Sequence, residues 1–355
     1  MTRAERLFKH LPDSIDCAVI TSDVNRRYFT GMKSSDGTVV IFRDKSYLII
    51  DFRYIEKARA TVDSAEVIEQ KRLYQQISEL LEKHGAGVVA VESQTMTVSQ
   101  LSRITRALSG VEINSTDILS NAVNTLRSYK DSGELECIIK AQRIAEKALE
   151  ELLPQIRPGV TERELMLELN HRMFQLGAEE LSFDTIILSG ANTSMPHGVP
   201  SDKKVESGDF VLMDFGAVWN GYHSDMTRTV CVGEPTEEMR SVYNKVLEAQ
   251  NTAIEAAHGG ITGQALDRVA RDIISEAGYG GNFGHSLGHG VGLEIHERPN
   301  ASPNYTQPLN TGAVVTVEPG IYLPGKFGVR IEDFVILTEN GCENLTKFEK
   351  NLITL

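Results

Sequence analysis

Acidic residues set inside apolar, β-branched stretches constrain this chain more tightly than any other feature. The segment FVLMDFGAVWNGYHSDMTRTV (210–230) has the pattern of a hairpin, with Asn220-Gly221 as a type I′ turn signal. With those two residues as the loop, Asp214 faces Thr227 and Gly216 faces Asp225. Asp214 and Asp225 are then diagonal neighbours on one face, about 7–8 Å apart at the backbone. Two carboxylates so placed repel one another unless a cation lies between them or the face is open to water.

Two further acids repeat the pattern. VVTVEPGIYLP (314–324) puts Glu318 at the end of a β-branched strand, fixed by Pro319-Gly320, and GVRIEDFVIL (328–337) puts Glu332 inside a strand. Arg330 lies two residues before Glu332, hence on the same face, and offers it a buried ion pair as the alternative to a metal. GGNFGHSLGHGVGLEIHE (280–297) carries His285, His289 and His296, with glycines beside His289 that let the backbone approach a ligand. Three of the nine histidines fall within twelve positions, which favours metal or proton chemistry over isolated core or surface histidines. A phosphate-loop reading of these glycines is poor, because no strand immediately precedes them and no lysine or helix start follows.

Asp214, Asp225, His289, Glu318 and Glu332 together make a donor set for two divalent metal ions. Carboxylates with a single imidazole suit Mn²⁺ or Fe²⁺, with Co²⁺ and Zn²⁺ admitted; a thiolate site would look different.

The formal net charge of −13 argues against nucleic acid or an anionic membrane as partner, since both require a basic face. Cys17, Cys137, Cys231 and Cys342 lie far apart with no CxxC spacing, so free thiols in a reducing compartment are expected. The first sixteen residues lack the apolar core of a secretory signal, and no apolar run approaches the ~20 residues that span a bilayer. The expectation is a cytoplasmic protein.

At 355 residues the chain has room for two domains, read here as 1–125 and 126–355. The first alternates short strands (17–21, 37–42, 46–51, 87–92) with helical patterns, two of them ending at Gly85 and Gly110, as α/β domains do. GTVVIFRDKSYLII reads as a hairpin turning at Asp44-Lys45. In the second, Asp131 with Glu134 and Thr161 with Glu164 open two helices as capping boxes. Two more helices fit 237–257 and 263–277. The strands TIILS, FVLMDFG, TRTVCV, AVVTVE and VRIEDFVIL make this part α+β, and its two acidic pairs hint at two similar halves.

The order Asp214, Asp225, His289, Glu318, Glu332, in the contexts MDFGAVWNGYHSDMTRT, GHSLGHGVGLEIHE, TVEPGIY and GVRIEDFVIL, resembles the pita-bread metallopeptidases. The resemblance spans roughly 130–355. RRYFTGMKSSDGTVVIFRDKSYLIIDFRYIEKA is similar to the N-terminal domain of their Xaa-Pro peptidase branch. The implied fold is an α/β creatinase/prolidase-like N-terminal domain followed by an α+β pita-bread catalytic domain. The implied activity is cleavage of the bond before proline in short peptides with proline second. The DFRY stretch favours aminopeptidase P over the dipeptide-specific prolidase, which stays as the alternative. The resemblance also implies a homodimer. It gives His197, in SMPHG, a place near the scissile carbonyl, and His296 a part in substrate binding and oxyanion stabilisation. His285 matches a further pocket histidine, Arg330 the arginine beside the bridging glutamate, and Glu332 the proton acceptor. A non-catalytic binding module on the same scaffold would have lost some of these donors.

Overall fold

The computed structural model describes residues 2–355, which divide into two compact units, one up to Arg127 and the other Ser128–Leu355. The first unit holds six strands: β1 (Cys17–Ile20), β2 (Thr38–Phe42), β3 (Ser46–Ile50), β4 (Glu66–Glu69), β5 (Val88–Val91) and β6 (Glu112–Asn114), in the order β4-β3-β2-β1-β5-β6. β1 to β3 are antiparallel neighbours. β4, β5 and β6 are joined in parallel. Helices α1 (Arg3–Leu7) to α6 (Ile118–Ser128) connect them; between these lie α2 (Asp23–Thr30), α3 (Phe52–Thr61), α4 (Leu73–His84) and α5 (Val98–Ala107).

The β2–β3 hairpin turns where expected, with the Phe42 N–H donating to the Lys45 carbonyl at 2.8 Å. Apolar faces of β1, β2, β3 and β5 bury Val19, Val40, Ile49 and Val89 against α4 and α5. The edge strands β4 and β6 were invisible to an apolar pattern because their residues, EVIE and EIN, are half polar and never fully buried. Helix α4 does end at a left-handed Gly85, whereas α5 stops at Ala107 with buried Leu108 as its cap, short of Gly110.

The second unit repeats one plan twice. Helices α7 (Ser132–Leu152) and α8 (Glu162–Gln175) both open on the expected capping boxes. They pack on a sheet ordered β12-β9-β8, made of β8 (Ile186–Ser189), β9 (Phe210–Phe215) and β12 (Met226–Cys231). Met213, Phe215 and Met226 join Ala145, Leu149 and Leu169 in that core. Helices α9 (Glu237–Ala256) and α10 (Gly263–Glu276) pack on a five-stranded sheet ordered β14-β13-β15-β18-β19. Its strands are β13 (Gly288–Gly290), β14 (Glu297–Ala301), β15 (Val314–Val317), β18 (Asp333–Thr338) and β19 (Gly341–Asn344). A short ribbon of β16 (Gly320–Leu323) and β17 (Phe327–Arg330) completes it. No helix among the described residues is long and apolar enough to cross a membrane.

The 210–231 hairpin has the expected register, Asp214 opposite Thr227, and turns at Asn220 and Gly221 with φ of 47° and 78°. Its tip, β10 (Ala217–Trp219) and β11 (Tyr222–His223), leaves the sheet to pair with β7 (Glu180–Leu181). The stretch VRIEDFVIL is not one strand. Glu332, expected inside a strand, lies at a crossover: β17 pairs with β16, β18 pairs with β15 and β19, and Ile331 and Glu332 belong to neither. The cause is sideways hydrogen bonding. The Glu332 N–H donates to the Thr227 carbonyl of β12 at 3.1 Å, tying the two halves together.

Candidate metal centre

β9 supplies Asp214 and β13 supplies His289, while Asp225 immediately precedes β12, Glu318 immediately follows β15 and Glu332 lies between β17 and β18. All five line one cavity of about 800 Å³, together with His197, His285, His296 and Arg330. Every site residue expected from the sequence therefore faces the same space. Ligating atoms of Asp225, His289 and Glu332 lie within 4.8 Å of one another. His289 Nε2 is 3.5 Å from Asp225 Oδ2 and 3.4 Å from Glu318 Oε1.

Hydrogen bonds orient these donors. His289 Nδ1 is 3.1 Å from the Gly290 carbonyl and so carries the ring hydrogen, leaving the Nε2 lone pair toward the two acids. The Thr227 hydroxyl donates to Glu332 Oε2 at 2.7 Å, and Thr316 Oγ1 donates to Glu318 Oε1 at 3.2 Å while accepting the His289 N–H at 3.0 Å. Neither threonine was singled out from the sequence. The signal was there, because Asp225-x-Thr227 and Thr316-x-Glu318 put hydroxyl and acid on one strand face. The glycines beside His289 serve packing rather than ligand approach. A Cβ on Gly288 would collide with the Thr316 carbonyl, and one on Gly290 would meet Arg298 and Glu297 backbone at 2.7 Å.

Arg330 is buried and does not pair with Glu332. Its Nη2 bonds Asp214 Oδ2 at 2.5 Å, its Nη1 the Tyr322 hydroxyl at 2.8 Å and its Nε the Thr227 hydroxyl at 3.0 Å. β17 turns it toward β9 at the crossover. Arg228, also missed, is 1% exposed and pairs with Asp333 at 2.7 Å. It further bonds the carbonyls of Glu332 and Phe348, fastening β12 to β18 behind the site.

The electrostatics ask for a cation. Burial, reinforced by repulsion among neighbouring acids, pushes Asp225 and Glu332 well above the carboxylate range and Glu318 up to about 8. Burial and the nearby His296 push His289 down to about 4. Two buried carboxylate oxygens, Asp214 Oδ1 and Glu332 Oε1, have no hydrogen-bond partner among the described residues. Arg330 lends these crowded acids one positive charge, and an imidazole that resists protonation adds none. The donor set fits divalent cations.

Residues 136–339 match metallopeptidase family M24, and residues 3–129 match the creatinase/prolidase N-terminal domain. The chain belongs to family M24. A relative from Pyrococcus furiosus named Xaa-Pro dipeptidase is 41% identical over 353 residues, spanning 99% of this chain and 99% of its own. The solved structure of the Xaa-Pro dipeptidase from Bacillus anthracis has a TM-score of 0.95 at 41% identity, covering 99% of both chains. That of the X-Pro aminopeptidase from Thermotoga maritima has a TM-score of 0.92 at 40% identity, covering 99% of this chain and 100% of its own. As an M24 metallopeptidase with a creatinase-type N-terminal domain, the protein is a metal-dependent hydrolase of pita-bread architecture, as the resemblance implied.

Proposed function

We propose that this M24 enzyme is an Xaa-Pro dipeptidase, a prolidase acting on dipeptides with proline second. The observation that carries the catalytic part is the convergence of Asp214, Asp225, His289, Glu318 and Glu332 on one cavity, with two carboxylate oxygens unpartnered. The substrate rests on the relatives. Full-length identity of 41% to proteins named Xaa-Pro dipeptidase supports the dipeptide reading better than the aminopeptidase P reading favoured by the DFRY stretch. Aminopeptidase activity stays as the second reading because the Thermotoga maritima X-Pro aminopeptidase is 40% identical over the same length.

In this reading Asp214, Asp225, His289, Glu318 and Glu332 would hold two divalent ions. The carboxylate-rich set favours Mn²⁺. When bound, such ions would supply Lewis-acid polarisation of the scissile carbonyl and make an attacking water more acidic. Asp214 is steered by Arg330 on one oxygen and keeps the other for the site. Glu332 Oε1 is the atom assigned to take the proton of the attacking water, with Oε2 held by Thr227. His197 and His296, exposed on the cavity wall, are assigned to the substrate's carbonyl oxygen. His285, held by the Tyr322 hydroxyl at 2.9 Å, shapes the pocket beside them. Proline has no amide hydrogen, so its recognition cannot use a backbone N–H donor on that residue. A homodimer is the assembly this reading carries.

The test compares turnover of Ala-Pro with Ala-Pro-Xaa tripeptides in Mn²⁺. Preference for the dipeptide is expected. Preference for the tripeptides would return the assignment to an aminopeptidase, and no cleavage of either would overturn both.

A further inference from the structure

Glu162 is the first residue of α8, 0% exposed and remote in sequence from the metal donors. Its two oxygens receive hydrogen bonds from both ends of the loop that carries His197. Oε1 accepts from the Ser189 N–H at 2.7 Å, the Ser189 hydroxyl at 3.1 Å and the Asn192 amide at 3.0 Å. Oε2 accepts from the Ser201 N–H at 3.0 Å and the Ser201 hydroxyl at 2.7 Å. Each oxygen meets an obligatory backbone donor, so the group serves as acceptor only.

The backbone of the same helix start completes the clasp. The Glu162 and Arg163 N–H groups donate to the carbonyls of Lys203 and Ser201 at 3.1 and 3.0 Å. These are N–H groups that a helix cannot satisfy internally, and an acid in the first turn suits that end of the helix. Between the two clasped ends run Gly190–Ser194 and the turn Met195-Pro196-His197-Gly198, closed by the Gly198 N–H on the Met195 carbonyl at 3.0 Å. The loop is also pinned from the other side, where the Gly328 N–H of β17 donates to the Thr193 hydroxyl at 2.7 Å. β17 ends at Arg330, so loop and metal site share one support.

We infer that Glu162 is a positioning residue for catalysis, fixing the 190–200 loop so that His197 is presented to the substrate carbonyl. This inference rests on the role given to His197 above and deepens it. An exposed histidine on an untethered loop samples many positions, and a misplacement of about 1 Å costs on the order of a hundredfold in rate.

The test is a double-mutant cycle on the Mn²⁺-loaded full chain with Ala-Pro, using Glu162→Gln, His197→Ala and the pair. Glu162→Gln keeps the shape but turns one acceptor oxygen into an NH₂ donor. The expected result is kcat lowered about tenfold to a hundredfold by Glu162→Gln, with metal stoichiometry retained and KM changed less. Hydrogen exchange should rise in peptides from 190–200. In the His197→Ala background the same change should have almost no further effect on kcat. Losses that multiply would overturn the positioning role, as would wild-type turnover in Glu162→Gln. If His197→Ala alone turned over at the wild-type rate, the assignment of His197 would fall, and this inference with it. Should Glu162→Gln not fold, Asn192→Ala and Ser201→Ala each remove one strap and are held to the same cycle, with smaller losses that must also vanish without His197.

Discussion

The Thr227 hydroxyl bridges Arg330 and Glu332, accepting from Arg330 Nε at 3.0 Å and donating to Glu332 Oε2 at 2.7 Å. One small side chain thus keeps a buried cation and a buried acid apart while orienting both. Thr227→Val keeps the volume and removes the bridge. The expected outcome is a loss of about tenfold to a hundredfold in metal affinity or activity, read by Mn²⁺ titration and by kcat at saturating metal.

Glu332→Gln removes the assigned proton acceptor. It should lower kcat by about 10²- to 10⁴-fold with Mn²⁺ supplied. Asp214→Asn should lose turnover too, because its free oxygen is assigned to the site. Activity near wild type in either variant would refute the donor set. Chelation followed by re-addition of Mn²⁺, Co²⁺ or Zn²⁺ should abolish and then restore turnover, with the rank of restored rates measuring the metal preference.

His285 is held neutral by the fold: burial, helped by the Arg330 charge, pushes it down from 6.5 to about 4. A lowered histidine pKa means that the unfolded chain takes up a proton between pH 6.5 and 4 that the folded protein refuses. The part of the stability that His285 carries is therefore complete above about 6.5 and is lost as the pH falls toward 4. His285→Gln should flatten that part of the profile by on the order of 3 kcal/mol, measured by urea unfolding across pH 4–7.

Burial pushes Asp333 up, but the Arg228 and Lys350 charges overcome it and hold the carboxyl below its usual range. Arg228→Met breaks that pair and strands the carbonyls of Glu332 and Phe348. A loss of about 3–5 kcal/mol in unfolding free energy is expected, measured by chemical denaturation. It should be accompanied by weaker metal binding, because the crossover carrying Glu332 is tied through Arg228.

Much of this is legible in the sequence alone. The hairpin register at Asp214 and Thr227 follows from an Asn-Gly turn and strand alternation, and both capping boxes follow from side-chain chemistry within four residues. The donors stood out because an acid in an apolar strand has few bland explanations. The sequence was silent where the answer lay in long-range pairing. Nothing local shows that VRIEDFVIL is divided between two ribbons, since each half is equally apolar; the break exists because β12 bonds to Glu332. The Arg330–Glu332 ion pair, the alternative to a metal, does not form for the same reason: the fold brings Arg330 to Asp214 instead. No local pattern marks Glu162, and only the folded loop shows five donors converging on it.

Because the donors come from both halves of the second unit, a growing polypeptide that has emerged only as far as β12 owns Asp214 and Asp225 and nothing to complete them. In the proposed site, a complete donor set must wait for Glu318 and Glu332, which flank strands near the end of the chain. On the proposed assignment, ion retention would report that both halves of the second unit have folded together.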